Sequence, residues 1–246
     1  MKIAVAGGTG TVGRHIVDVL TEQGHQPLVL SRAAGVDLTT GRSLADALAG
    51  ATAVIDVSST QTQADEASRA FFGTVTQNLL AAEQAAGVRH HVALGIVGST
   101  LAPYGYYAGK ALQEQLVEAS PVPWTILRAT QFHEFAQQIY GSITAGPFIL
   151  VPKMTSQPVA AREVAEHLVA LALANPAGHT TDLAGPHIEQ MPHMVRAYAK
   201  ATGKRGPIIT IPAPGPFGKA LRDGTILPKG EVTLGRQSFA EWLAAL

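Results

Sequence analysis

A run of glycines stands near the start of the chain, between a short apolar segment and a stretch with helical periodicity. The apolar segment covers residues 3–6, and the helical pattern covers residues 12–23. A strand that turns through glycines into a helix offers a phosphate unpaired backbone N–H groups and the positive end of the helix dipole. This context predicts a dinucleotide-binding loop, with a glycine turn in an unrelated α/β domain as the alternative. We expect cofactor contacts from Gly7, Thr9, Gly10, Thr11, Val12 and Gly13.

The rest of the first half alternates short β-rich segments with longer helical ones, which is typical of a parallel sheet covered on both faces. We predict strands at residues 3–6, 27–31, 54–57, 91–96 and 124–128, and a short strand around Val36. Helices are predicted at residues 12–23, 44–48, 69–86 and 107–119. The fold class is therefore predicted to be α/β, with a Rossmann-type doubly wound parallel sheet.

After residue 130 the chain becomes rich in proline and glycine turns. Helices are predicted at residues 163–174, 192–202 and 239–246, and short strands at residues 148–151, 181–184 and 208–211. We expect a cofactor-binding core at residues 1–130 and a smaller substrate-binding lobe at residues 131–246, integrated into a single domain. The lobe is expected at the carboxyl edge of the sheet, where open α/β folds bind ligands.

The composition argues against several kinds of protein. The 246 residues include no cysteine, which excludes disulfides and thiolate chemistry. The 18 basic and 18 acidic residues balance, which does not favour a nucleic acid or an anionic membrane surface as partner. No apolar segment approaches the roughly 20 residues that span a bilayer, and the histidines lack metal-ligand spacing. We expect a cytoplasmic protein that binds a small molecule and no metal; a homo-oligomer is left open.

The residues after the second predicted strand bear on the choice of cofactor. An acid there would bind the ribose 2′-hydroxyl of NAD, whereas an arginine accommodates the 2′-phosphate of NADP. The chain has Ser31 and Arg32 at this point and no acid. Because a guanidinium fits phosphate oxygens bidentately, we expect NADP(H) rather than NAD(H), with a solvated loop cation as the alternative for Arg32. Asp37 could contact the adenine or belong to an ordinary turn.

A tyrosine and a lysine open the helix predicted after residue 100. Tyr106 and Lys110 are four residues apart, so their side chains lie on one face of that helix. A nearby ammonium favours phenolate and is expected to lower the tyrosine pKa. Such a phenol can give or take a proton at a carbonyl while a hydride moves to or from a nicotinamide. Tyr106 and Lys110 are the predicted catalytic residues, and Lys110 could also hold the nicotinamide ribose.

These features together resemble the short-chain dehydrogenase/reductases, in particular the atypical branch related to NmrA-like and NAD(P)H-binding proteins. The matching stretches are residues 7–13, 106–110, 123–132 and 183–186. The resemblance implies that NADP(H) is held at the sheet edge, with the substrate between the two lobes. It also implies that Val57, Ser58 and Ser59, at the end of a predicted strand, lie along the cofactor.

One departure from the family pattern concerns a hydroxyl group. Catalytic members usually carry Ser or Thr at the end of the strand that precedes the Tyr–Lys helix, where it steadies the substrate carbonyl. Gly95 stands where a serine is expected, although Ser99 and Thr100 follow closely. Loss of an oxyanion-type donor typically costs about 10²–10³ in rate. Gly95 therefore puts standard carbonyl reduction in question.

The segment that leaves the strand at residues 124–128 is expected at the ligand-binding edge. It supplies the predicted substrate contacts Gln131, Phe132 and His133, to which we add Tyr104. His133 titrates near neutrality and could donate a proton, or it could be a structural residue.

Three functions are compatible with this pattern. The first is an NADP(H)-dependent oxidoreductase of a small carbonyl, quinone or enone, carried by the glycine loop with Tyr106 and Lys110. The second is a non-catalytic NADP(H)-binding sensor, suggested by Gly95. The third is an NAD(P)-dependent isomerase or epimerase, which the short C-terminal lobe disfavours. No sequence pattern identifies the substrate.

Overall fold

The computed structural model describes residues 1–246, which form two compact units. The first unit contains Met1–Arg128 and Arg162–Thr181, and the second contains Ala129–Ala161 and Asp182–Leu246. The segment at residues 162–181 thus belongs to the first unit, although it follows residue 130 in the chain. None of the helices is both long enough and apolar enough to cross a membrane.

The chain forms thirteen strands and nine α-helices. The strands are β1 (Lys2–Ala6), β2 (Gln26–Leu30), β3 (Ala53–Asp56), β4 (His91–Ile96), β5 (Trp124–Ala129), β6 (Thr144–Ala145), β7 (Phe148–Pro152), β8 (Thr155–Ser156), β9 (Gly178–His179), β10 (Asp182–Ala184), β11 (Glu189–Gln190), β12 (Ile208–Ile211) and β13 (Val232–Leu234). The helices are α1 (Thr11–Glu22), α2 (Leu44–Ala47), α3 (Asp65–Ala86), α4 (Tyr106–Glu118), α5 (Phe135–Ile139), α6 (Ala161–Leu173), α7 (Met191–Ala201), α8 (Gly215–Arg222) and α9 (Phe239–Ala244).

The first unit is built on a sheet with strand order β5-β4-β3-β1-β2. Strand β1 pairs in parallel with β2 on one side and with β3 on the other, and β3 pairs in parallel with β4. The direction of the chain connections therefore reverses between β1 and β3. In open α/β sheets such a reversal leaves a crevice at the carboxyl ends of the strands, where ligands bind. The predicted Rossmann-type α/β sheet is confirmed.

The apolar pattern of the central strands explains their position. Residues 3–6 of β1 are fully buried, as are Val54 and Ile55 of β3. Strands that are apolar along their whole length, rather than at alternate positions, are covered on both faces. On one face, side chains of α2 and α3, including Leu44, Val75 and Leu79, pack with β1 and β3 residues in one apolar cluster.

The predicted short strand around Val36 is wrong. A 3₁₀-helix (Arg32–Ala34) follows β2 instead, and the Ser31 Oγ accepts a hydrogen bond from its last N–H, at 3.3 Å. Gly35 then adopts a left-handed conformation with φ of 77°, which glycine tolerates best. The chain therefore turns back on itself, and Asp37 makes only an isolated antiparallel bridge with Arg42.

The second unit contains short strands and helices, several of them not predicted. Strand β10 pairs in parallel with β13, and its Leu183 pairs with Ala129; β7 pairs in parallel with β12. Helix α8 was missed because its first turn, with Pro at one of the first two positions, lies in a segment whose prolines and glycines indicated turns. Pro is compatible with a first helical turn, where its missing N–H is not needed.

Candidate functional site

Three segments meet at the glycine loop with almost no space between their backbones. A Cβ on Gly7 would lie 2.6 Å from the carbonyl oxygen of Val57, and one on Gly13 would lie 2.1 Å from the carbonyl oxygen of Gly7. Gly7 also has a φ of 82°, a conformation that L side chains rarely adopt. The glycines therefore bring the end of β1, the start of α1 and the residues after β3 into direct contact.

The N-terminus of α1 is prepared for an anion. Its N-cap residue is Gly10, no side chain caps the first turn, and that turn contains no acidic residue. The first N–H groups of the helix and its dipole are therefore left for another partner. Beside it lies a shallow cavity of about 310 Å³, lined by Gly8, Thr9, Arg14, Val17, Asp18 and Val29.

Ser58 supplies an independent sign of a ligand at this place. Its side chain is 4% exposed, and its Oγ has no hydrogen-bond partner. Its backbone packs against Gly7, since a Cβ there would lie 2.9 Å from the Ser58 nitrogen. A buried hydroxyl without a partner costs about 1–3 kcal/mol. A polar ligand on the glycine loop would remove this cost, so the residues present fit a dinucleotide.

A second cavity, of about 380 Å³, lies beside the turn that follows β2. Arg32 and Arg42 both line it, and both side chains are exposed. Hydrogen bonds from Thr39 lower the pKa of Asp37, which also lines the cavity, and the charge of Arg32 contributes to this shift. Ser31, which caps the 3₁₀-helix, precedes Arg32 directly. Sequence reasoning missed Arg42, because only the Asp37–Arg42 bridge brings this residue to the cavity.

Close packing between α3 and α4 fixes the position of Tyr106. A Cβ on Gly109 would lie 2.3 Å from the Oγ of Ser68 and 2.6 Å from a ring carbon of Phe72, so only glycine allows this approach. The Ser68 hydroxyl donates to the carbonyl oxygen of Tyr106 at 3.0 Å. The Tyr106 ring packs edge-on against Phe72, with 5.3 Å between centroids. The first turn of α4 is thereby held on the face of α3.

The phenol of Tyr106 contacts the loop that follows β3. Its oxygen lies 2.8 Å from the Oγ of Ser59, and either group could be the donor. Burial raises the pKa of Tyr106 to about 12, and the hydrogen bond with Ser59 opposes this shift. The lowered pKa that the sequence suggested is therefore not what the structure gives. With this pKa Tyr106 carries its proton at neutral pH.

Lys110 lies on the same helix as Tyr106 but makes different contacts. Its side chain is buried, its Nζ donates to the Oε1 of Gln113, and it lies 4.8 Å from the centroid of the Phe72 ring. Gln113 in turn donates to the Oδ2 of Asp56 at 2.7 Å. Burial lowers the pKa of Lys110 to about 8, although the charges of Asp56 and Glu114 oppose the shift. Tyr106 and Lys110 thus both contact Phe72.

Asp56 was not predicted as a site residue. It is fully buried at the end of β3, and its Oδ1 accepts the N–H of Ser58 at 2.9 Å, while its Oδ2 accepts the amide of Gln113. It therefore joins the loop after β3 to α4. One feature of the sequence could have indicated Asp56: it is a single acidic residue at the end of an otherwise apolar segment. A carboxylate that is buried there must have polar partners.

Gly95 has no room for any side chain. A Cβ there would lie 2.5 Å from the Oε1 of Glu114 and 2.9 Å from the Cγ of Arg128. Ser99 is the first residue after Gly95 that carries a hydroxyl. It is fully buried, and its hydroxyl donates to the same Glu114 oxygen at 3.3 Å. The hydroxyl that the family pattern places on this strand is thus replaced by an ion pair.

The predicted substrate residues are distributed over both units. Tyr104, in the first unit, is 40% exposed. In the second unit the Oε1 of Gln131 accepts from Ser156 at 2.6 Å, and Phe132 forms a parallel bridge with Val159. His133 is fully buried, with its Nε2 3.0 Å from the carbonyl oxygen of Gln237 and with aromatic contacts to Phe239 and Trp242. These contacts account for His133 as a structural residue of the second unit. No three His, Asp or Glu side chains are arranged to hold a metal ion.

Comparison with known proteins identifies a matching family and several solved structures of similar fold. Residues 7–176 match the profile of a family described as NAD(P)H-binding. No curated protein sequence matches the chain significantly.

Several solved structures are similar over nearly the whole chain. A nucleoside-diphosphate-sugar epimerase from Staphylococcus aureus has 15% identity, coverage of 99% of both chains and a TM-score of 0.71. A short-chain dehydrogenase/reductase superfamily protein from Agrobacterium tumefaciens, with bound NAD, has 18% identity, coverage of 100% and 95%, and a TM-score of 0.70. An NADPH-dependent quinone oxidoreductase from Escherichia coli has 14% identity, coverage of 99% and 98%, and a TM-score of 0.67.

At these sequence identities the similar structures establish only the fold, whereas the family profile establishes which family the chain belongs to. The profile spans more than half of the chain and begins at the glycine loop. The protein therefore belongs to the NAD(P)H-binding family.

Proposed function

We propose that this protein is an NADP(H)-dependent oxidoreductase that transfers a hydride to or from a small carbonyl, quinone or enone. The observation that carries the proposal is the contact between Tyr106 and Ser59, because Ser59 directly follows the residue that packs on Gly7. A proton-donating phenol therefore stands next to the loop that fits a dinucleotide. This arrangement is what a reductase needs, since proton and hydride must reach the same substrate.

The proposed roles follow from the environment of each side chain. The bound nicotinamide would supply or accept the hydride. Tyr106, protonated at neutral pH, would donate its proton to the substrate oxygen and take it back in the reverse direction. Lys110 is buried within one helical turn of Tyr106 and would help to hold the nicotinamide ribose. The glycine loop, Val57 and Ser58 would hold the pyrophosphate and its neighbouring ribose.

Two arginines support a preference for NADP(H) over NAD(H). Arg32 and Arg42 line the same cavity beside β2. The carboxylate of Asp37, in the same cavity, accepts hydrogen bonds from the N–H and from the hydroxyl of Thr39. A dianionic phosphate monoester is the ligand that two guanidinium groups bind best. We propose that this cavity receives the 2′-phosphate of NADP(H). The Escherichia coli quinone oxidoreductase of similar fold is itself NADPH-dependent.

A second candidate function is an NADP(H)-binding sensor without turnover. The observation in its favour is Gly95, where the Glu114–Arg128 pair occupies the space of a hydroxyl.

Three further expectations from the sequence stay predictions. They are the substrate contacts of Tyr104, Gln131 and Phe132, the relationship to NmrA-like proteins, and a cytoplasmic location.

The proposed function is tested by titrating NADP(H) and NAD(H) calorimetrically and then measuring NADPH oxidation with aldehydes, ketones, quinones and enones. We expect NADPH to bind more tightly than NADH, and at least one class to be reduced. Tyr106→Phe should abolish turnover while binding persists. Tyr140→Phe is the matched control, because its hydroxyl only donates to the carbonyl oxygen of Arg205. Binding without turnover on any class would favour the sensor, and no binding would refute both candidates.

A further inference from the structure

We propose that Ser59 is the positioning residue for Tyr106 and takes the place of the hydroxyl that β4 lacks. The proposal rests on the proposed function, because it assigns a partner to the phenol of the same site. This partner lies on the loop after β3, whereas the family pattern places the hydroxyl residue at the end of the neighbouring strand β4.

Strand β4 has no room for the hydroxyl. A Cβ on Gly95 would meet Glu114 at 2.5 Å and Arg128 at 2.9 Å. Both atoms belong to an ion pair in which the Glu114 side chain is only 1% exposed, so the pair cannot simply swing into water. A serine at this position would therefore require the ion pair to break.

The hydroxyl groups that follow β4 in the chain are not bonded to Tyr106. Ser99 is fully buried and bonded to Glu114. Thr100 is exposed, and no hydrogen bond of its side chain reaches Tyr106. The hydrogen-bond partner of the phenol is the Oγ of Ser59, 2.8 Å away.

The residues that lead into Ser59 are fixed by close packing and a buried hydrogen bond. The carbonyl oxygen of Val57 packs on Gly7, and the N–H of Ser58 donates to the buried carboxylate of Asp56 at 2.9 Å. The backbone immediately before Ser59 is therefore fixed in position. Orientation of a proton donor by a preorganised neighbour is a recurrent source of rate in enzymes.

The chemistry of a hydroxyl suits this role. Ser59 is exposed, whereas Tyr106 is partly buried, and a serine hydroxyl can donate and accept at once. In the reductive direction the phenol O–H bond breaks and its proton goes to the substrate oxygen, which has gained negative charge from the hydride. The tyrosinate then takes the proton of Ser59, and Ser59 takes one from a solvent water, which leaves a hydroxide ion in bulk solvent. The phenol is thereby restored, with no other reactant than solvent.

The test compares Ser59→Val with Ser59→Thr, two side chains of the same shape that differ in the hydroxyl. Gln61→Ala, an exposed residue of the same loop, is the control, and Ser99→Ala tests the rival hydroxyl. Two readouts are used: kcat of the protein with NADPH, and the ¹³Cζ NMR signal of Tyr106 in labelled protein without cofactor. Tyr106→Phe assigns that signal among the five tyrosines.

We expect Ser59→Val to lower kcat by about 10²-fold and to shift the Tyr106 signal. Ser59→Thr should restore both, while Gln61→Ala and Ser99→Ala leave the signal in place. An unshifted signal in Ser59→Val, or a kcat that falls only in Ser99→Ala, would overturn the assignment of Ser59. A normal kcat in Ser59→Val with an inactive Tyr106→Phe would refute this inference and leave the proposed function standing. Full activity of Tyr106→Phe would instead refute the proposed function.

Discussion

The guanidinium of Arg128 donates two hydrogen bonds to one carboxylate oxygen of Glu114, at 3.0 Å from Nε and 2.7 Å from an Nη. This pair lies over Gly95 and leaves no space for a side chain there. The missing hydroxyl of β4 and the ion pair are therefore two aspects of one packing arrangement. The hydrogen-bond partner of the Tyr106 phenol is instead Ser59, 2.8 Å away.

We predict that Gly95→Ser destabilises the protein and does not raise its activity. The added Cβ would lie 2.5 Å from Glu114 and 2.9 Å from Arg128, so overpacking should cost about 1–3 kcal/mol in the free energy of unfolding. Urea denaturation measures this cost. Gly73→Ala is the matched control, because its Cβ would meet only the flexible end of Leu112, at 3.3 Å. A gain in kcat for Gly95→Ser at unchanged stability would contradict this explanation.

The two halves of the Glu114–Arg128 pair should not be equivalent. Glu114 is 1% exposed and Arg128 is 27% exposed, so only the arginine can reach water when its partner is removed. Arg128→Met leaves a buried carboxylate without its hydrogen-bonded ion-pair partner and should cost about 3–5 kcal/mol, the range for breaking buried pairs. Glu114→Gln should cost less. Equal losses in parallel denaturation curves would show that burial does not decide the energetics of this pair.

The burial of Lys110 predicts a specific pH dependence of stability. Its pKa is about 8 in the folded protein and 10.5 ordinarily, so the unfolded chain binds more protons between these values. The free energy of unfolding should therefore rise with pH through that window, by about 3 kcal/mol from this residue. Lys110→Met, of similar length and without charge, should lack the rise. Unfolding curves below pH 8 and above pH 10.5 test this, and the other titrating groups cancel in the difference between the two proteins.

Two arginines should determine the preference for the 2′-phosphate. Arg32→Asp should weaken NADP(H) binding and shift the preference towards NAD(H), and Arg42→Ala should weaken NADP(H) binding alone. A lost charge-assisted hydrogen bond costs about 1.5–3 kcal/mol, which corresponds to roughly 10–100-fold in Kd. Calorimetric titration of 2′-AMP and 5′-AMP isolates the phosphate contribution, with the exposed Arg89→Ala as control. An unchanged ratio of the two affinities in both variants would remove the cavity from the 2′-phosphate site.

The sequence predicted the fold where one periodicity dominates a long segment. The apolar residues 3–6 and the glycines after them could form little else than a strand and a tight turn into a helix. Val36 was assigned to a strand because an apolar residue in a short segment has no resolvable period. The cap from Ser31 and the left-handed Gly35 decided its structure instead. Helix α8 shows the same limit, since prolines that indicate a turn also fit the start of a helix.

The site was predictable in its residue types but not in its contacts. Tyr106 and Lys110 could be found from their spacing, yet both side chains pack against Phe72, which lies on another helix. The Ser59–Tyr106 contact joins residues 47 positions apart, and no local pattern encodes such a distance. The raised pKa of Tyr106 likewise results from burial, which depends on how α3 and α4 pack.

The central claim is that a hydride passes from NADPH to a substrate beside Tyr106. The most direct test is to supply NADPH carrying deuterium at one or the other face of the nicotinamide C4, together with each substrate class, and to measure by mass spectrometry the deuterium kept in the NADP⁺ formed. We predict that the wild-type protein removes deuterium from one face only, so that NADP⁺ formed from one labelled cofactor loses the label and NADP⁺ formed from the other keeps it. A reduced carbonyl or enone then carries the label on carbon, whereas deuterium that reaches a quinone oxygen exchanges with water. Tyr106→Phe, which still binds NADPH, should form no NADP⁺. NADPH binding with no NADP⁺ formed on any substrate class, loss of label from both faces, or equal turnover by Tyr106→Phe would contradict this prediction.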